Sequence, residues 1–309
     1  MTDLIFFGSD RFSAVVLSEL IKQNHAPNLV VTDQPKPKGK KGLIEPNDVE
    51  KLVKEQNIKV LYYQENNDEL INYITTHNPV GLSASFPHLF PPSLIKVFNN
   101  RLYNLHPSLL PQYRNVAPGP YAIAMGDTET GITLQHIDEK IDHGSIIAQV
   151  AEPILPADTT SSLLTRLFTL GTKMFIDHLR RSYSPTIRRS EFSDCPNRIF
   201  THKLTRESGH LEWHVVQKLL QGYTLKVGDT KNPLVNLRLT HHPERTENIL
   251  PDLIRALDTY EKVWTIAETR KGKIIISLSL DPNNQKSILV LVPGKPNPTT
   301  LRLFESNYL

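Results

Sequence analysis

Apolar positions in the first 85 residues alternate between two periods. Leu4-Ile5-Phe6-Phe7 is a short continuous apolar run closed by Gly8 and Ser9, after which Phe12, Val15, Val16, Leu20 and Ile21 recur at helical spacing. Leu29-Val30-Val31 is a second run. Val49, Leu52 and Val53 return to the helical period, and Val60-Leu61-Tyr62 is a third run. Leu70, Ile71 and Ile74 predict another helix, followed by Val80-Gly81-Leu82 leading to Pro87. Strands that alternate with helices predict βαβ units and a parallel sheet. Strands that are apolar throughout suit a sheet covered on both faces.

From Gly131 the pattern changes. Ile132, Leu134 and Ile137, then the turn Asp142-His143-Gly144, then Ile146-Ile147-Ala148 predict a hairpin added to the sheet. Thr159 or Thr160 can cap a helix carrying Leu163, Leu164, Leu167, Phe168, Met174, Phe175 and Leu179. Arg181 to Asn197 is rich in Ser, Pro and Arg without apolar periodicity and reads as part of a linker over 181–203. The remainder, 204–309, shows one predicted helix from Leu250 to Leu257 and β-like runs at Ile274-Ile275-Ile276 and Ile288 to Val292. The expected architecture is an α/β domain over 1–180 followed by a smaller β-rich domain.

Composition narrows the classes. With 309 residues, 39% hydrophobic and 22% charged, the chain can bury a core, and it lacks a disorder signature. Its formal net charge of +3 permits a polyanionic partner without implying one. One cysteine, Cys195, excludes a disulfide scaffold and a multi-cysteine zinc site. Met1 to Phe7 has no basic n-region, and no apolar run approaches the ~20 residues a spanning helix needs. A cytoplasmic, membrane-free monomer is the expectation.

The most informative stretch is Asn104-Leu105-His106-Pro107-Ser108-Leu109-Leu110-Pro111. Asn104 and His106, two apart on an extended strand, project to the same side. Pro107 and Pro111 stop the strand, which puts both side chains at the end of a sheet where open α/β folds place ligands. An amide can donate to a developing oxyanion, and an imidazole can move a proton near neutral pH. Asp142, in its turn, can supply the carboxylate that orients the imidazole. Each feature also has a plainer reading: Asn-x-His-Pro suits a satisfied loop, and Asp before a Gly-containing turn makes the turn. No Gly-x-Ser-x-Gly is present and Cys195 lies in the linker, so direct transfer without a covalent enzyme intermediate is the better expectation.

Several blocks together resemble the methionyl-tRNA formyltransferases. These are Phe7-Gly8-Ser9-Asp10-Arg11-Phe12-Ser13, Val31-Thr32-Asp33-Gln34-Pro35 with the basic segment to Lys41, Asn104 through Pro118, and Gly131 to Gly144. The stretch from Asn104 to Gly144 is specific to 10-formyltetrahydrofolate-dependent formyltransferases as a group. The resemblance implies a Rossmann-like catalytic domain, an OB-like barrel that binds tRNA over 204–309, and a catalytic set of Asn104, His106 and Asp142. It implies folate contacts at Ser108, Leu109, Leu110 and Pro111, with a pterin-lining loop that includes Phe86, His88 and Leu89. It implies no metal. Three departures stand out: Phe86-Pro87 where an aromatic-Gly pair is usual, Asn115 where Gly is usual, and about forty residues between Trp213 and Ile254 without an assigned role.

The implied reaction is attack of an acceptor amine on the formyl carbon of 10-formyltetrahydrofolate. Asn104 and His106 would stabilise the oxyanion, and Asp142 would orient His106. Lys36, Lys38, Lys40 and Lys41 read alone as a solvated loop; beside these motifs they read as contacts to the phosphates of initiator methionyl-tRNA. The shared signature leaves a sugar-nucleotide N-formyltransferase as an alternative, and a catalytically inactive tRNA-binding homologue as another.

Overall fold

The computed structural model describes residues 3–38, 43–64, 68–180, 198–260, 262–270, 272–282, 284–295 and 297–308. Most of the expected linker, 181–197, lies outside them, as do Lys40 and Lys41. The elements through the first 180 residues are, in order, β1 (Leu4–Phe7), α1 (Arg11–Lys22), β2 (Leu29–Thr32), β3 (Lys36–Lys38), β4 (Leu43–Glu45), α2 (Asp48–Gln56), β5 (Lys59–Tyr62), α3 (Asp68–His77), β6 (Val80–Ala84), α4 (Pro92–Phe98), β7 (Leu102–His106), α5 (Pro118–Ala124), β8 (Glu129–His136), β9 (Ile146–Pro153) and α6 (Thr160–Leu179). The C-terminal part adds α7 (Trp213–Leu220), α8 (Pro233–His241), α9 (Ile249–Ala256), β10 (Val263–Thr269), β11 (Gly272–Asp281), β12 (Asn284–Leu291), β13 (Thr299–Thr300) and α10 (Leu301–Tyr308).

A seven-stranded sheet runs in the order β5-β2-β1-β6-β7-β8-β9. The first five of these are mutually parallel, and β8 pairs antiparallel with β7. The alternating apolar runs thus form the predicted βαβ units, and the predicted hairpin extends one edge. Every residue of β1, β2 and β6 is buried, which is what continuous apolar strands require. Ile5, Phe7, Leu29, Val31, Leu70, Ile74, Phe98 and Leu102 make one packed cluster. Sequence order and spatial order diverge between β1 and β6, so the strand order reverses there, and the carboxyl ends of β1, β2, β6 and β7 open on one side of the sheet. The start of α1 is fixed by its own sequence: Asp10 accepts from the backbone N–H of Phe12 and Ser13 in a capping box with Ser13.

The chain divides into two compact units. One comprises Met1–Asn115, Gly131–Glu152 and Leu164–Arg198; the other comprises Val116–Thr130, Pro153–Leu163 and Ile199–Leu309. The second unit contains the expected small β element, an antiparallel meander β10-β11-β12-β13. It is far more helical than its apolar pattern predicts. α8 starts as a helix should, with Asn232 as N-cap and Pro233 in the first turn. Its sequence does not read as amphipathic, because one of its buried positions is Arg238.

That arginine anchors the later part of the segment between Trp213 and Ile254. Arg238 is 3% exposed. Its Nη1 donates to Asp252 Oδ2 at 2.7 Å and to the Ala124 carbonyl at 3.1 Å. Nε donates to the Arg245 carbonyl at 2.7 Å, and Nη2 to the Glu247 carbonyl at 2.6 Å. Gly126, at φ +69°, leaves room for the guanidinium where a Cβ would collide with it. Arg255 pairs with Asp252 and donates to the Asp158 carbonyl, and Thr160 donates to the Ala256 carbonyl. α8 and α9 thereby hold the turn that follows α5 and the start of α6.

Candidate active site

β7 ends in the sequence Asn104-Leu105-His106 and is halted by Pro107. In the antiparallel register Asn104 lies opposite Gln135 and His106 opposite Thr133. Directly opposed residues share a face of the ladder, so these four polar side chains line one surface. On its other side β7 pairs with β6, Ser83 beside Asn104 and Ala84 beside Leu105. The loop that begins at Ser85 therefore leaves the sheet level with His106.

Asp142 arrives from the β8–β9 turn. It has φ +50°, a left-handed conformation that Asp tolerates better than most residues. Gly144 is required two residues later, because a Cβ there would overlap the carbonyl oxygen of His136. Asp142 Oδ1 lies 3.4 Å from His106 Nδ1. Gln135 Nε2 donates to the same oxygen at 2.9 Å, and Asn115 N–H donates to Oδ2 at 2.8 Å. Asn115 adopts φ +83°, which accounts for its standing where Gly is usual.

His106 is 4% exposed, and its Nε2 donates to the Tyr113 carbonyl at 2.9 Å. A carbonyl only accepts, so Nε2 carries the hydrogen and Nδ1 is the nitrogen turned to Asp142. The oxyanion contact expected of His106 is thus not preformed, since that N–H is already engaged. Asn104 is half-buried, and its side-chain amide makes no hydrogen bond among the described residues. Arg114, buried nearby, has its pKa lowered by desolvation and then by Arg198, while Asp142 and Asp138 act in the opposite direction.

The Ser108–Pro111 segment is held from beneath. Thr133 Oγ1 donates to the Ser108 carbonyl at 2.6 Å and accepts from Leu110 N–H at 3.2 Å. Gln149 Nε2 donates to the Leu110 carbonyl and to Thr133 Oγ1, both at 2.9 Å. Ser108 Oγ donates to the Gln112 carbonyl at 2.6 Å, Leu110 is buried, and Leu109 and Pro111 are half-buried. The Leu110–Pro111 peptide is cis.

In the expected pterin loop, Phe86 packs against Phe7, Tyr63 and Phe90 at centroid distances of 5.8, 5.2 and 5.7 Å. His88 stacks on Tyr63 at 4.7 Å, and its Nε2 lies 2.5 Å from Asp33 Oδ1. Burial pushes the Asp33 carboxyl up, but hydrogen bonds from His88 and Lys36 outweigh it and hold the group below its ordinary value. Leu89 is 71% exposed while its carbonyl accepts from Tyr63 Oη at 2.9 Å. Lys36 and Lys38 belong to the β3–β4 hairpin, not to the loop that their charge pattern suggests. Lys36 pairs with Asp33 at 3.0 Å.

The structure brings Asn104, His106 and Asp142 together, and adds Gln135, Thr133, Gln149, Asn115 and the Tyr113 carbonyl, none of which sequence reasoning assigned to the site. Thr133 and Gln135 did leave a signal: they alternate with Ile132 and Leu134 on the strand opposite Asn104 and His106. Among the described residues no group of three His, Cys, Asp or Glu is placed to hold a metal ion, and no helix is long and apolar enough to cross a membrane.

Comparison with known proteins gives the family. The chain is 30% identical over 219 residues to the methionyl-tRNA formyltransferase of Enterococcus faecalis, covering 69% of this chain and 68% of that one. It is 32% identical over 216 residues to that of Listeria welshimeri, with the same coverage. Its fold is similar to that of WlaRD, a sugar 3N-formyl transferase (TM-score 0.51, 20% identity, 91% of this chain and 88% of that one). It is also similar to the Mycobacterium tuberculosis protein Rv3404c (TM-score 0.55, 19% identity, 91% and 99%). Residues 3–179 match the formyl transferase family. The chain belongs to the formyl transferase family.

Proposed function

We propose that the chain transfers the formyl group of 10-formyltetrahydrofolate to the amino group of methionyl initiator tRNA. The observation that carries this reading is the convergence of Asn104, His106 and Asp142 at the carboxyl end of β7, with the Asn104 amide uncommitted. The acceptor amine attacks the formyl carbon and a C–N bond forms while the carbonyl pair moves to oxygen. Asn104 Nδ2 donates to that oxyanion, and the proton of the attacking nitrogen passes to N10 of the folate as the C–N10 bond breaks, assisted through water by the Asp142 carboxylate that faces His106. The products are the formylated amine and tetrahydrofolate.

The same end of the sheet offers surfaces suited to the folate. The exposed Leu89 and the half-buried Phe86 and His88 offer an apolar, aromatic border for a flat heteroaromatic ring. The secured Ser108–Pro111 turn, including Leu109 and Leu110, borders the formyl-bearing portion. Acceptor choice rests on the names of the relatives and on the lysine-rich sequence with Lys36 and Lys38 on β3 and, in sequence, Lys40 and Lys41 after them, suited to the phosphates of an acceptor stem. On this reading 1–180 carries the chemistry, 204–309 assists tRNA binding, and the protein works as a cytoplasmic monomer.

The experiment is direct. The protein is incubated with 10-formyltetrahydrofolate and either methionyl-tRNA or an amino-sugar nucleotide, and the formylated amine is identified. Formyl-methionyl-tRNA is the expected product. Formylation of the sugar alone overturns the acceptor, and a salt-sensitive tRNA shift without turnover overturns the reaction.

A further inference from the structure

The geometry points to Gln135 as a positioning residue that holds Asp142 in place independently of the proton on His106. It deepens the proposed reaction and rests on the catalytic reading of Asn104, His106 and Asp142.

Gln135 is 2% exposed, on β8, in register with Asn104. Its Nε2 is 2.9 Å from Asp142 Oδ1, the same oxygen that faces His106 Nδ1 at 3.4 Å. The shorter contact is the one from the amide. When the imidazole is neutral, Nδ1 turns a lone pair toward Oδ1 and cannot hold the carboxylate. Gln135 and the Asn115 N–H then keep both oxygens fixed. The orientation of the Gln135 amide is unambiguous, because the reversed amide would set an acceptor against the carboxylate.

The remaining atom is the telling one. Gln135 Oε1 is buried and has no hydrogen-bond partner. A buried orphan acceptor is destabilising, and an apolar residue of similar length would remove the penalty. A buried amide with one orphan atom, placed where its other atom holds the Asp142 carboxylate, points to a functional constraint. Arg114 interacts electrostatically with Asp142, and also with Asp138 and Arg198. Arg114 is a full charge whose attraction for Asp142 does not depend on His106, whereas the Gln135 donor fixes one particular oxygen.

A donor on Oδ1 stabilises the anion and competes with His106 for it. Removing the donor leaves Asp142 free to turn away from His106.

The test uses the full chain with 10-formyltetrahydrofolate and methionyl-tRNA. Gln135→Met removes the donor and the orphan acceptor together. Expected are a kcat loss of about tenfold to a hundredfold from misplacement of Asp142, an unchanged KM for folate, and a kcat profile against pH displaced from that of wild type. The variant's melting temperature stays the same or rises, which a purely structural role would not give. Gln135→Glu replaces the donor by a second carboxylate. It is expected to lose activity at neutral pH, and its rate relative to wild type should climb as pH falls and the added carboxyl becomes a donor. Should Gln135→Met fail to fold, the pH dependence of that ratio decides alone. Wild-type turnover and an unmoved pH profile in Gln135→Met, or a ratio flat with pH in Gln135→Glu, overturns the assignment. Asp142→Asn is measured alongside: an inactive Asp142→Asn beside a normal Gln135→Met sinks only the positioning role, whereas an active Asp142→Asn sinks the catalytic set itself.

Discussion

Replacing Arg238 by Met should destabilise the C-terminal unit far more than an ordinary helix substitution. The guanidinium is enclosed by Asp252 Oδ2 and the carbonyls of Ala124, Arg245 and Glu247, at 2.6 to 3.1 Å. Asp252 retains Arg255, so its charge is not wholly abandoned. The three carbonyls are left without this donor. Each buried unsatisfied acceptor costs about 1–3 kcal/mol, and removing the arginine's own desolvation penalty offsets part of the sum. The net loss should be about 3–5 kcal/mol, the usual consequence of breaking a buried pair from one side. Urea unfolding followed by tryptophan fluorescence is a clean assay, because the chain's two tryptophans, Trp213 and Trp264, both lie in this unit. At a slope of about 2 kcal/mol per molar urea, the midpoint should fall by about 2 M. A change below about 0.5 kcal/mol would refute the reasoning and mean that the four acceptors are satisfied without Arg238.

Burial, and for His136 the nearby charge of His178, lower the pKa of His136 and His178, against a smaller opposing contribution from the Asn100 backbone. The unfolded chain then takes up these protons first, so their contribution is neutral above about pH 6.5 and stability falls as pH drops below it. Denaturant midpoints between pH 7.5 and 5.5 should show that decline, and His136→Phe should flatten it. Gly144→Ala should keep the fold but displace Asp142, costing about a hundredfold in kcat with little change in folate affinity; steady-state kinetics decides, and a wild-type kcat would show that the turn has room. Neutralising Lys36, Lys38, Lys40 and Lys41 to Gln should weaken methionyl-tRNA binding while sparing folate. Its salt dependence should flatten by roughly 0.7–0.9 log units per log salt for each phosphate no longer neutralised. Equal weakening of both ligands would contradict a tRNA role.

Much of the first unit was legible because its signals are local. Apolar runs of three or four residues between helical periods point to parallel strands, buried in β1, β2 and β6 though not in the edge strand β5, and Asp142-His143-Gly144 announced its turn. The pairing of Asn104 with His106 followed from the strand period alone. What escaped were features set by tertiary context. Gln135 sits on a strand where a polar residue reads as facing solvent, yet it points at Asp142 from a buried position. Arg238 in a helix reads as surface, so the sequence of α8 shows no clear apolar pattern and the segment from Trp213 to Ile254 has no assigned role. The His106 N–H was expected to be available to substrate, because nothing in the sequence shows that the chain returns the Tyr113 carbonyl to it. Asn115 looked like a departure until its positive φ showed why Gly or Asn belongs there.

Single-turnover formyl transfer by Asn104→Ala and Asp142→Asn, with tetrahydrofolate affinity measured on the same preparations, bears most directly on the chemistry assigned to the end of β7. The expected result is a rate loss of about a hundredfold to a thousandfold in each variant, with folate binding within a few-fold of wild type. Rates within about threefold of wild type in either variant would contradict the assignment, given the size of the effect expected for an oxyanion donor.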